Sequence, residues 1–502
     1  MMKKRAWVDI TSLRQLQEKR ESLRPAEFFP YSEEIRSVMV SPVYTCPPEQ
    51  DLKTVVRTMS ELKISCVIVV NEHSEPLGIL TERDILNRVV ARDADVASSK
   101  VSRFMTKDPL TLTPEDTVYR ALFLLSAKGI KHLPLLEEGK VSGIVTLRQL
   151  LKLRYPEPMT LIEGISQAED IDVLRTIKAR LPKLAASKLA MGSRAYDVVI
   201  MLSLINQDIH RKTYELAVAD TGDPPGDHCL FLTGSHGRME NLLTTDQDHG
   251  IIYGDDIPAA AAEEYFSTLA HTFSAWLEEI GFVKCPGEVM AVNPVWRKSL
   301  SDWKSQVHTW IVRQVPHLVR YITVFFDAQP VSGDESLFRS LMDYSYSLLG
   351  EHYEVLRMLH DEEGSHRVPT GMFGRFITER SGKHRGEFDI KRSGLIFVVE
   401  GIRILALLNG IRETTTVKRI GKLVEGAHIN PEDGEYFEGA YRFLLHFALN
   451  AQVEKGVEDG SINTWLNPSH LSSREKEMLR HAYKAVASLQ DLIATEFGEL
   501  VL

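Results

Sequence analysis

A repeated pattern of helical and strand-like apolar spacing occupies residues 33–155. A unit of about 65 residues occurs twice, and each copy begins a helix just after a Pro-Glu pair. Apolar residues then follow at helical spacing, Val55 and Met59 in the first copy and Ala121 and Leu125 in the second. Each helix is followed by an apolar strand and by a second strand after a turn. The pattern predicts two stacked modules that bury a shared surface.

The rest of the chain alternates between helical and strand patterns. Helical spacing covers 171–181 and 196–217, an apolar strand is predicted at 229–233, and an amphipathic helix at 259–280 ends at Gly281. We expect a multidomain α/β and α protein with four parts: an extension at 1–32 with one helix at 11–23, the repeated pair at 33–155, a mixed-sheet domain with leading helices at 156–332, and a C-terminal helical bundle at 335–500.

Two further apolar patterns bear on function. The run at 321–326 predicts a strand that ends at Asp327, where an acid is unexpected unless it faces a site; the alternative is a turn or cap aspartate. Trp296, Trp303 and Trp310 recur every seven residues, which favours a buried helical face over a platform for stacking a base.

The chemistry concentrates after the strand at 229–233. Gly234 and Ser235 follow it directly, and such a turn lets a phosphate approach the backbone. Asp246 and Asp248 come next, and on a single strand this spacing would place both carboxylates on one face. A divalent cation such as Mg²⁺ (or Mn²⁺) would relieve their repulsion and bind substrate phosphates. The alternative is a polar turn followed by solvated acids.

The extended pattern G-S-x-G-R-x-E, followed by T-D-x-D, resembles the protein-PII uridylyltransferase branch of the DNA polymerase beta-type nucleotidyltransferase superfamily. The resemblance implies transfer of a nucleoside monophosphate from a nucleoside triphosphate to a hydroxyl of a protein or small molecule. It implies Asp246, Asp248 and Asp327 as catalytic metal ligands. Arg238 and Glu240 are expected to pair and brace the turn.

The same resemblance extends to the C-terminal segment, where an Asp-x-Lys-Arg-x-Gly block begins at Asp389. It implies a helical domain that covers the nucleotide. The nucleotide-binding residues expected from it are Gly234, Ser235, Arg238, Lys391 and Arg392. A solvated helix start is the alternative interpretation of Lys391 and Arg392.

The repeated pair resembles tandem CBS domains, because each copy carries G-h-h-T-x-x-D or a close variant. Gly78, Thr81 and Asp84 match this pattern fully, whereas the second copy keeps Gly143 and Thr146 but has Gln149 at the acidic position. The resemblance implies a regulatory adenine-nucleotide site at Gly78, Thr81, Asp84 and Thr146. The alternatives are a helix-capping role for Asp84 and a purely structural or homodimerising pair.

Composition limits the partners. The formal net charge of −10 over 502 residues argues against a broad grip on a nucleic acid polymer. The four cysteines show no C-x-x-C spacing, and neither a signal peptide nor a membrane-spanning run is evident, so we expect a cytoplasmic protein. A different class of function also fits: a nonenzymatic adenine-nucleotide-sensing signal-transduction protein that uses the transferase fold as a scaffold.

Overall fold

The computed structural model describes residues 34–96, 98–146, 149–150, 156–313, 319–363, 376–458 and 462–499. The extension at 1–32, with its predicted helix, lies outside these residues. Two compact units are separated near residue 160, one within 25–160 and the other within 161–502.

The first unit consists of the two predicted repeats. Its strands are β1 (Thr45–Cys46), β2 (Cys66–Val70), β3 (Pro76–Thr81), β4 (Thr106–Lys107), β5 (His132–Glu137) and β6 (Lys140–Thr146), and its longer helices are α1 (Leu52–Glu61) and α2 (Val118–Ala127). The sheet order is β1-β2-β3-β4, and β5 pairs with β6. Each repeat also pairs with the segment that precedes the other repeat. Strand β4, which precedes the second repeat, pairs with β3 of the first. Val40, which precedes the helix of the first repeat, forms a β-bridge with Ile144 of the second.

Each repeat has its own apolar core. Leu52, Val55 and Val67 are fully buried in the first, and Val118 and Leu133 are fully buried in the second. A third, smaller cluster of Ile68, Val70 and Ile144 takes side chains from both copies. The predicted duplication and its shared buried surface are therefore confirmed.

The second unit wraps many helices around one central mixed sheet. Its helices are α3 (Pro156–Ser166), α4 (Ile171–Ala190), α5 (Ala195–Thr221), α6 (Ala259–Ile280), α7 (Leu300–Arg313), α8 (Val319–Phe325), α9 (Glu335–Glu351), α10 (Glu354–Glu363), α11 (Ile396–Leu408), α12 (Thr416–Glu425), α13 (Pro431–Glu458) and α14 (Ser473–Glu499). Its strands are β7 (His228–Leu232), β8 (Asp246–Gln247), β9 (His249–Tyr253), β10 (Val283–Lys284), β11 (Arg297–Ser299), β12 (Gln329–Gly333), β13 (Phe388–Asp389) and β14 (Trp465–Leu466).

The central sheet has the order β11-β9-β7-β12, in which β7 is antiparallel to both neighbours and β11 is parallel to β9. The pairs β8–β10 and β13–β14 stand apart from it. This confirms mixed α/β content with many helices. The proposed boundary between a catalytic and a helical domain at 332–335 remains a prediction, because one compact unit contains both segments.

The predicted strand at 321–326 is wrong, since this segment belongs to helix α8 and the turn after it. Its β-branched and aromatic residues favour a strand locally. Ile322, Phe325 and Phe326 nevertheless bury almost their whole surface, at the i, i+3, i+4 spacing of one helical face. Tertiary packing therefore overrides local propensity here.

The tryptophans behave as the apolar face that their spacing predicts. Trp303 and Trp310 lie on α7, and Trp296 lies in the short helical turn Pro294–Trp296 before it. All three are buried and packed edge-on or tilted against one another. None of the three rings has an exposed face on which a base could stack.

Candidate functional site

The turn after β7 brings the backbone and a carboxylate unusually close together. Gly234 has φ +57°, a left-handed conformation that favours glycine. A Cβ added at this position would lie 2.6 Å from Asp248 Oδ2. The predicted pairing of the Gly-Ser turn with the Asp-x-Asp segment therefore exists in the fold, and it requires glycine at 234.

Asp246 and Asp248 do not lie on one continuous strand, as the spacing predicted. Asp246 belongs to β8, which pairs with β10, whereas β9 begins at His249 and pairs with β7. Asp248 occupies the break, where its carbonyl accepts the N–H of Thr233 at 3.0 Å. The chain changes partners between the two aspartates, which a period-two pattern in the sequence cannot reveal.

The two carboxyl groups still share one electrostatic environment. The pKa of Asp248 is raised to about 6, because burial and the neighbouring Asp246 outweigh a hydrogen bond with Cys285 and the charges of Lys391 and Arg238, which lower it. Burial also raises the pKa of Asp246, and Lys391 again opposes the rise. Both side chains are half-buried rather than enclosed. They form an acidic pair open to a ligand on one side.

Other side chains of the motif hold the turn in place. Asn241 Nδ2 donates to Ser235 Oγ at 3.1 Å, and His236 Nε2 lies 2.9 Å from the carbonyl of Asp246 and 2.9 Å from Thr245 Oγ1. Burial, reinforced by nearby His210 and Lys178, lowers the pKa of His236 well below its ordinary value. A neutral His236 can donate from Nε2 to the Asp246 carbonyl, which links the turn to the acidic segment.

Lys391 comes from far along the chain and joins the acidic pair. Asp389 orients it, because Asp389 Oδ1 accepts the N–H groups of Lys391 at 3.0 Å and Arg392 at 3.3 Å and the hydroxyl of Thr464 at 2.6 Å. Of the two predicted nucleotide-binding cations, Lys391 interacts electrostatically with Asp246 and Asp248. The Arg392 side chain is 85% exposed and lies 4.0 Å from Asp389.

Asp327 has a very different environment from the acidic pair. Its side chain is fully buried, and Oδ1 accepts from Arg419 Nη1 at 2.8 Å and Arg403 Nε at 3.2 Å. Oδ2 accepts from Arg238 Nη1 and forms an ion pair with Arg403 Nη2 at 2.8 Å. Burial opposes ionisation, but the charges of Arg403, Arg238 and Arg419 lower the pKa of Asp327 below its ordinary value. Both oxygens thus carry two donors each, which fills the acceptor capacity of a carboxylate.

The arginine cluster of Arg238, Arg403 and Arg419 connects the turn to the C-terminal helices. Arg238 Nε also donates to Glu240 Oε2 at 2.9 Å, so the expected bracing pair is present. A Cβ at Gly237 would lie 1.9 Å from the Asp327 carbonyl oxygen, which shows how tightly the turn packs on this residue.

Two backbone contacts extend the same connection. The N–H of Thr416 donates to Glu240 Oε1 at 2.7 Å, and Thr414 Oγ1 donates to the carbonyl of Gly237 at 2.9 Å. Arg403, Arg419, Thr414 and Thr416 are site residues that were not predicted from the sequence. The available signal was Arg403 itself, a charge inside the apolar run of α11, which requires a buried partner.

A two-carboxylate site fits Mg²⁺ (or Mn²⁺), which protein sites often hold through one or two carboxylates together with substrate phosphates. Asp246 and Asp248 supply hard oxygen donors beside the glycine turn. Within the described ranges no group of three or more His, Cys, Asp or Glu side chains is arranged to hold a metal ion. The geometry disagrees with the prediction that Asp327 completes a metal cluster, because three hydrogen bonds and a further ion-pair contact from three guanidinium groups already occupy its oxygens.

The predicted regulatory residues form a capping motif in each repeat. Asp84 Oδ2 accepts from the N–H of Thr81 at 3.0 Å and from its hydroxyl at 2.7 Å, and Thr81 Oγ1 accepts the N–H of Asp84 at 3.2 Å. In the second copy, Gln149 Oε1 accepts the N–H of Thr146 at 2.8 Å. The Gln149 side chain thus accepts the backbone N–H of Thr146 in the same way as Asp84 accepts that of Thr81. Glutamine is one of the residues that a capping box uses at this position.

The glycines of the two repeats also correspond. A Cβ at Gly78 would lie 2.6 Å from Met105 Sδ, and one at Gly143 would lie 3.0 Å from Met39 Sδ. A cavity of about 410 Å³ opens in the first repeat, with Thr45, Pro48 and Asn71 in its wall. Thr81 and Asp84 do not line that cavity.

Models of known protein families match both units of the chain. Residues 35–91 and 101–155 match the CBS domain, residues 179–317 match "Putative nucleotidyltransferase DUF294", and residues 354–497 match "Putative nucleotidyltransferase substrate binding domain". The chain therefore carries two CBS domains followed by a DUF294 domain and its substrate-binding domain, and it is called the DUF294 protein below. In this DUF294 protein, Gly234, Asp246 and Asp248 lie in the nucleotidyltransferase match, and Lys391 lies in the substrate-binding match.

Individual relatives of the DUF294 protein resemble about a quarter of it. An uncharacterized 17.7 kDa protein of Acidianus ambivalens is 31% identical over 119 residues, which are 24% of this chain and 71% of that protein. Inosine-5'-monophosphate dehydrogenase of Aquifex aeolicus is 36% identical over 122 residues, 24% of this chain and 24% of the enzyme. A mitochondrial CBS domain-containing protein of Arabidopsis thaliana is 28% identical, and the chain spans 54% of its length.

Solved structures give matches of similar extent. An uncharacterized conserved protein from Pyrococcus horikoshii is 27% identical, covering 24% of this chain and 92% of its own, with a TM-score of 0.23. The CBS domain pair of protein MJ0100, solved with 5-methylthioadenosine and S-adenosyl-L-methionine, is 21% identical, covering 24% of this chain and 98% of its own, with a TM-score of 0.22. Among the helices that the structure describes, none combines the length and the apolarity needed to cross a membrane.

Proposed function

We propose that this DUF294 protein is a metal-dependent nucleotidyltransferase that moves a nucleoside monophosphate from a nucleoside triphosphate to a hydroxyl group of a protein or small molecule. The single observation that carries the proposal is the convergence of Asp246, Asp248, the Gly234 turn and Lys391. An acidic pair, a close backbone approach and a nearby cation are the groups that phosphoryl chemistry needs.

Each residue has a defined part in the proposed reaction. Asp246 and Asp248 would hold Mg²⁺ (or Mn²⁺), which supplies charge neutralisation at the triphosphate when bound. Ser235 Oγ accepts a hydrogen bond from Asn241, so its own O–H can donate to a phosphate oxygen. Lys391 offers a positive charge to the transferring phosphoryl group. Arg238 acts indirectly, by tying the turn to Asp327 and Glu240.

The bond changes follow from this arrangement. The acceptor oxygen attacks the α-phosphorus, a new P–O bond forms, the bond to pyrophosphate breaks, and the hydroxyl proton passes to solvent. The motif around Gly234 to Asp248 supports a reaction like that of the protein-PII uridylyltransferases. We assign Asp327 a positioning part in place of metal ligation, because its oxygens are saturated by arginine.

We also propose that an adenine nucleotide binds the CBS pair and regulates transfer. The match to the CBS domain supports this regulatory part. Gly78, Thr81, Asp84 and Thr146 remain the proposed ligand residues. Because Asp84 Oδ2 already caps its own turn, a ligand would share the carboxylate with Thr81.

The transfer proposal is tested by incubating the full chain with each α-labelled nucleoside triphosphate, Mg²⁺ or Mn²⁺, and extract of the native host. Asp246→Asn/Asp248→Asn removes both proposed metal ligands. Asp220→Asn/Asp223→Asn is the matched control, since Asp220 in the last turn of α5 and Asp223 in the loop before β7 are both exposed. We expect label on an acceptor with the wild type and the control only. Absence of transfer under all conditions would favour the nonenzymatic sensor.

The regulatory proposal is tested by the melting shift that ATP, ADP or AMP produces. Each variant is compared with its own ligand-free melting temperature, so that loss of the cap does not distort the result. We expect the shift to vanish in Asp84→Ala and to persist in Gln149→Ala. An undiminished shift in Asp84→Ala would remove this carboxylate from the proposed site.

A further inference from the structure

Residues 379–387 form a short loop closed on itself, just before the segment that carries Lys391. The N–H of Glu379 donates to the carbonyl of Glu387 at 2.8 Å, and the N–H of Gly386 donates to the carbonyl of Glu379 at 2.9 Å. Gly382 and Gly386 have φ values of +81° and +84°, which allow the two bends. We call residues 379–387 the basic loop.

The base of the basic loop is anchored from two directions. Glu387 accepts from His384 Nδ1 at 2.8 Å and from Lys455 Nζ at 3.0 Å. The ring of His384 stacks on Trp465, with centroids 4.1 Å apart and planes inclined by 5°. The loop therefore has a defined shape, set by contacts with α13 and with strand β14.

The charges of the basic loop are distributed unequally between its base and its outer surface. Of the two acids in the loop, Glu387 accepts hydrogen bonds from two side chains at the base, and Glu379 is exposed. Arg380, Lys383 and Arg385 are exposed, and none of them forms an ion pair with an acid in the described part of the chain. The surface thus presents three cations on a protein whose net charge is −10.

The position of the basic loop connects it to the candidate site. Asp389 and Lys391 follow Arg385 by four and six residues, and strand β13, which lies between the loop and Lys391, pairs with β14. Lys391 interacts with the Asp246 and Asp248 carboxylates. Thr244 Oγ1 also donates to the carbonyl of Ile462 at 3.1 Å, and Thr464 donates to Asp389, so the strand pair that follows the basic loop lies close to the segment that leads into Asp246. We call the stretch from Arg380 to Lys391 the basic path.

The chemistry of this path selects the kind of partner. A nucleic acid polymer is held through many phosphate contacts, and the three exposed cations of the loop are too few for such a grip. An exposed loop, unlike a pocket, suits an extended chain that brings its own carboxylates. We propose that the basic loop, through Arg380, Lys383 and Arg385, docks an acidic segment of a protein acceptor and brings its hydroxyl toward Asp246 and Asp248. This inference rests on the proposed transferase function and names its acceptor class.

The test uses the full chain and a fluorescein-labelled peptide of consecutive glutamates with one tyrosine, followed by fluorescence anisotropy at low salt. A peptide with glutamine in place of every glutamate is the neutral probe. The variant Arg380→Glu/Lys383→Glu/Arg385→Glu reverses the basic loop. Lys53→Glu/Arg57→Glu/Lys128→Glu is the matched control, because it makes the same charge change at exposed cations of the other unit.

We expect the glutamate peptide to bind the wild type and the control with similar affinity, and the loop variant at least about tenfold more weakly, since exposed charge pairs each contribute modestly. The glutamine peptide should not bind. Equal binding by the loop variant and the wild type would overturn the proposal, as would an equal loss in the control. Displacement by an equimolar amount of inorganic tripolyphosphate would also overturn it, since the loop would then be a phosphate site.

The same titration with Asp246→Asn/Asp248→Asn separates this proposal from the proposed catalysis. Docking does not require the acidic pair, so we expect this variant to bind the glutamate peptide at least as tightly as the wild type. Binding that is retained while no variant or wild-type protein transfers nucleotide would refute the transferase and leave the docking surface intact. Transfer without any glutamate-peptide binding would refute the docking surface alone.

Discussion

The second unit places the acidic pair Asp246 and Asp248 and the single acid Asp327 in opposite electrostatic environments. Asp246 and Asp248 are half-buried, and burial raises the pKa of both. Asp327 is completely buried, yet three arginines lower its pKa. Nearby cations compensate the negative charge of Asp246 and Asp248 only in part, whereas three arginines compensate the charge of Asp327.

The difference separates a reactive site from a structural one. A carboxylate with unsatisfied charge attracts a cation, and in the proposed function Asp246 and Asp248 would hold a metal ion that also binds phosphate. A carboxylate with four donors has no capacity left for a metal. Asp327 instead connects the turn at Arg238 with Arg403 on α11 and Arg419 on α12. Charge compensation, more than burial, distinguishes the two roles.

The largest effect should come from breaking the compensated cluster. Asp327→Asn leaves three buried guanidinium groups without their shared anion, and we expect a loss of about 3–5 kcal/mol in the free energy of unfolding. Urea unfolding followed by tryptophan fluorescence measures it. Asp343→Asn is the control, because its pair with Arg412 is exposed and should contribute little. A loss below about 1 kcal/mol for Asp327→Asn would contradict the structural role.

Substitution in the acidic pair should reduce activity without reducing stability. Asp248→Asn removes a charge that the fold disfavours, so stability should be kept or increased while nucleotide transfer falls more than about 100-fold, beyond the usual effect of losing an indirect metal contact. Parallel activity assays and urea titrations would show the separation. Retained transfer in this variant would remove Asp248 from the chemistry.

A pH titration sharpens the same contrast. The pKa of Asp248 is raised to about 6, so between its ordinary value near 3.8 and about 6 the folded protein binds a proton more readily than the unfolded chain. The contribution of this group to stability is therefore present at low pH and lost as the pH rises through 6. Metal affinity should change in the opposite direction, weakening about tenfold per pH unit below 6, because only the carboxylate binds Mn²⁺. A metal affinity that is flat from pH 5 to pH 7 would contradict this assignment.

The smallest predicted effect concerns the first unit. Asp84→Ala and Gln149→Ala should each destabilise it by about 1 kcal/mol, since each removes one half of a capping box. Similar decreases in melting temperature for the two variants, measured without ligand, would confirm that the Asp84 carboxylate and the Gln149 amide have the same capping role. A loss confined to Asp84→Ala would show that Gln149 does not replace it.

Much of this architecture could be predicted from the sequence. The duplication, the strand before Gly234, the helix α6 ending at Gly281 and the buried tryptophan face follow from periodicity and turn chemistry. The helix at 319–325 could not, because its strand-favouring residues form a helix only through packing in the completed fold. Local pattern is a weaker guide where tertiary contacts decide.

The candidate site shows the same limit. Gly234 and the two aspartates are close in sequence and carried a recognisable motif, but the role of Asp327 depends on Arg403 and Arg419, which are 76 and 92 residues away. An acid after an apolar run indicates a special environment without saying whether a metal or an arginine provides it. Similarly, Asp84 fits both a ligand contact and a cap, and only the hydrogen bonds with Thr81 reveal the cap.

The most direct test of this account is Mn²⁺ binding, followed by electron paramagnetic resonance, in Asp248→Asn and Asp327→Asn at low temperature, with circular dichroism to give the folded fraction of each. Asp248→Asn should remain folded and lose Mn²⁺ binding, whereas the folded fraction of Asp327→Asn should bind Mn²⁺ like the wild type. Normal Mn²⁺ binding by Asp248→Asn, together with loss of binding by folded Asp327→Asn, would contradict the division of these acids into a reactive pair and a structural centre.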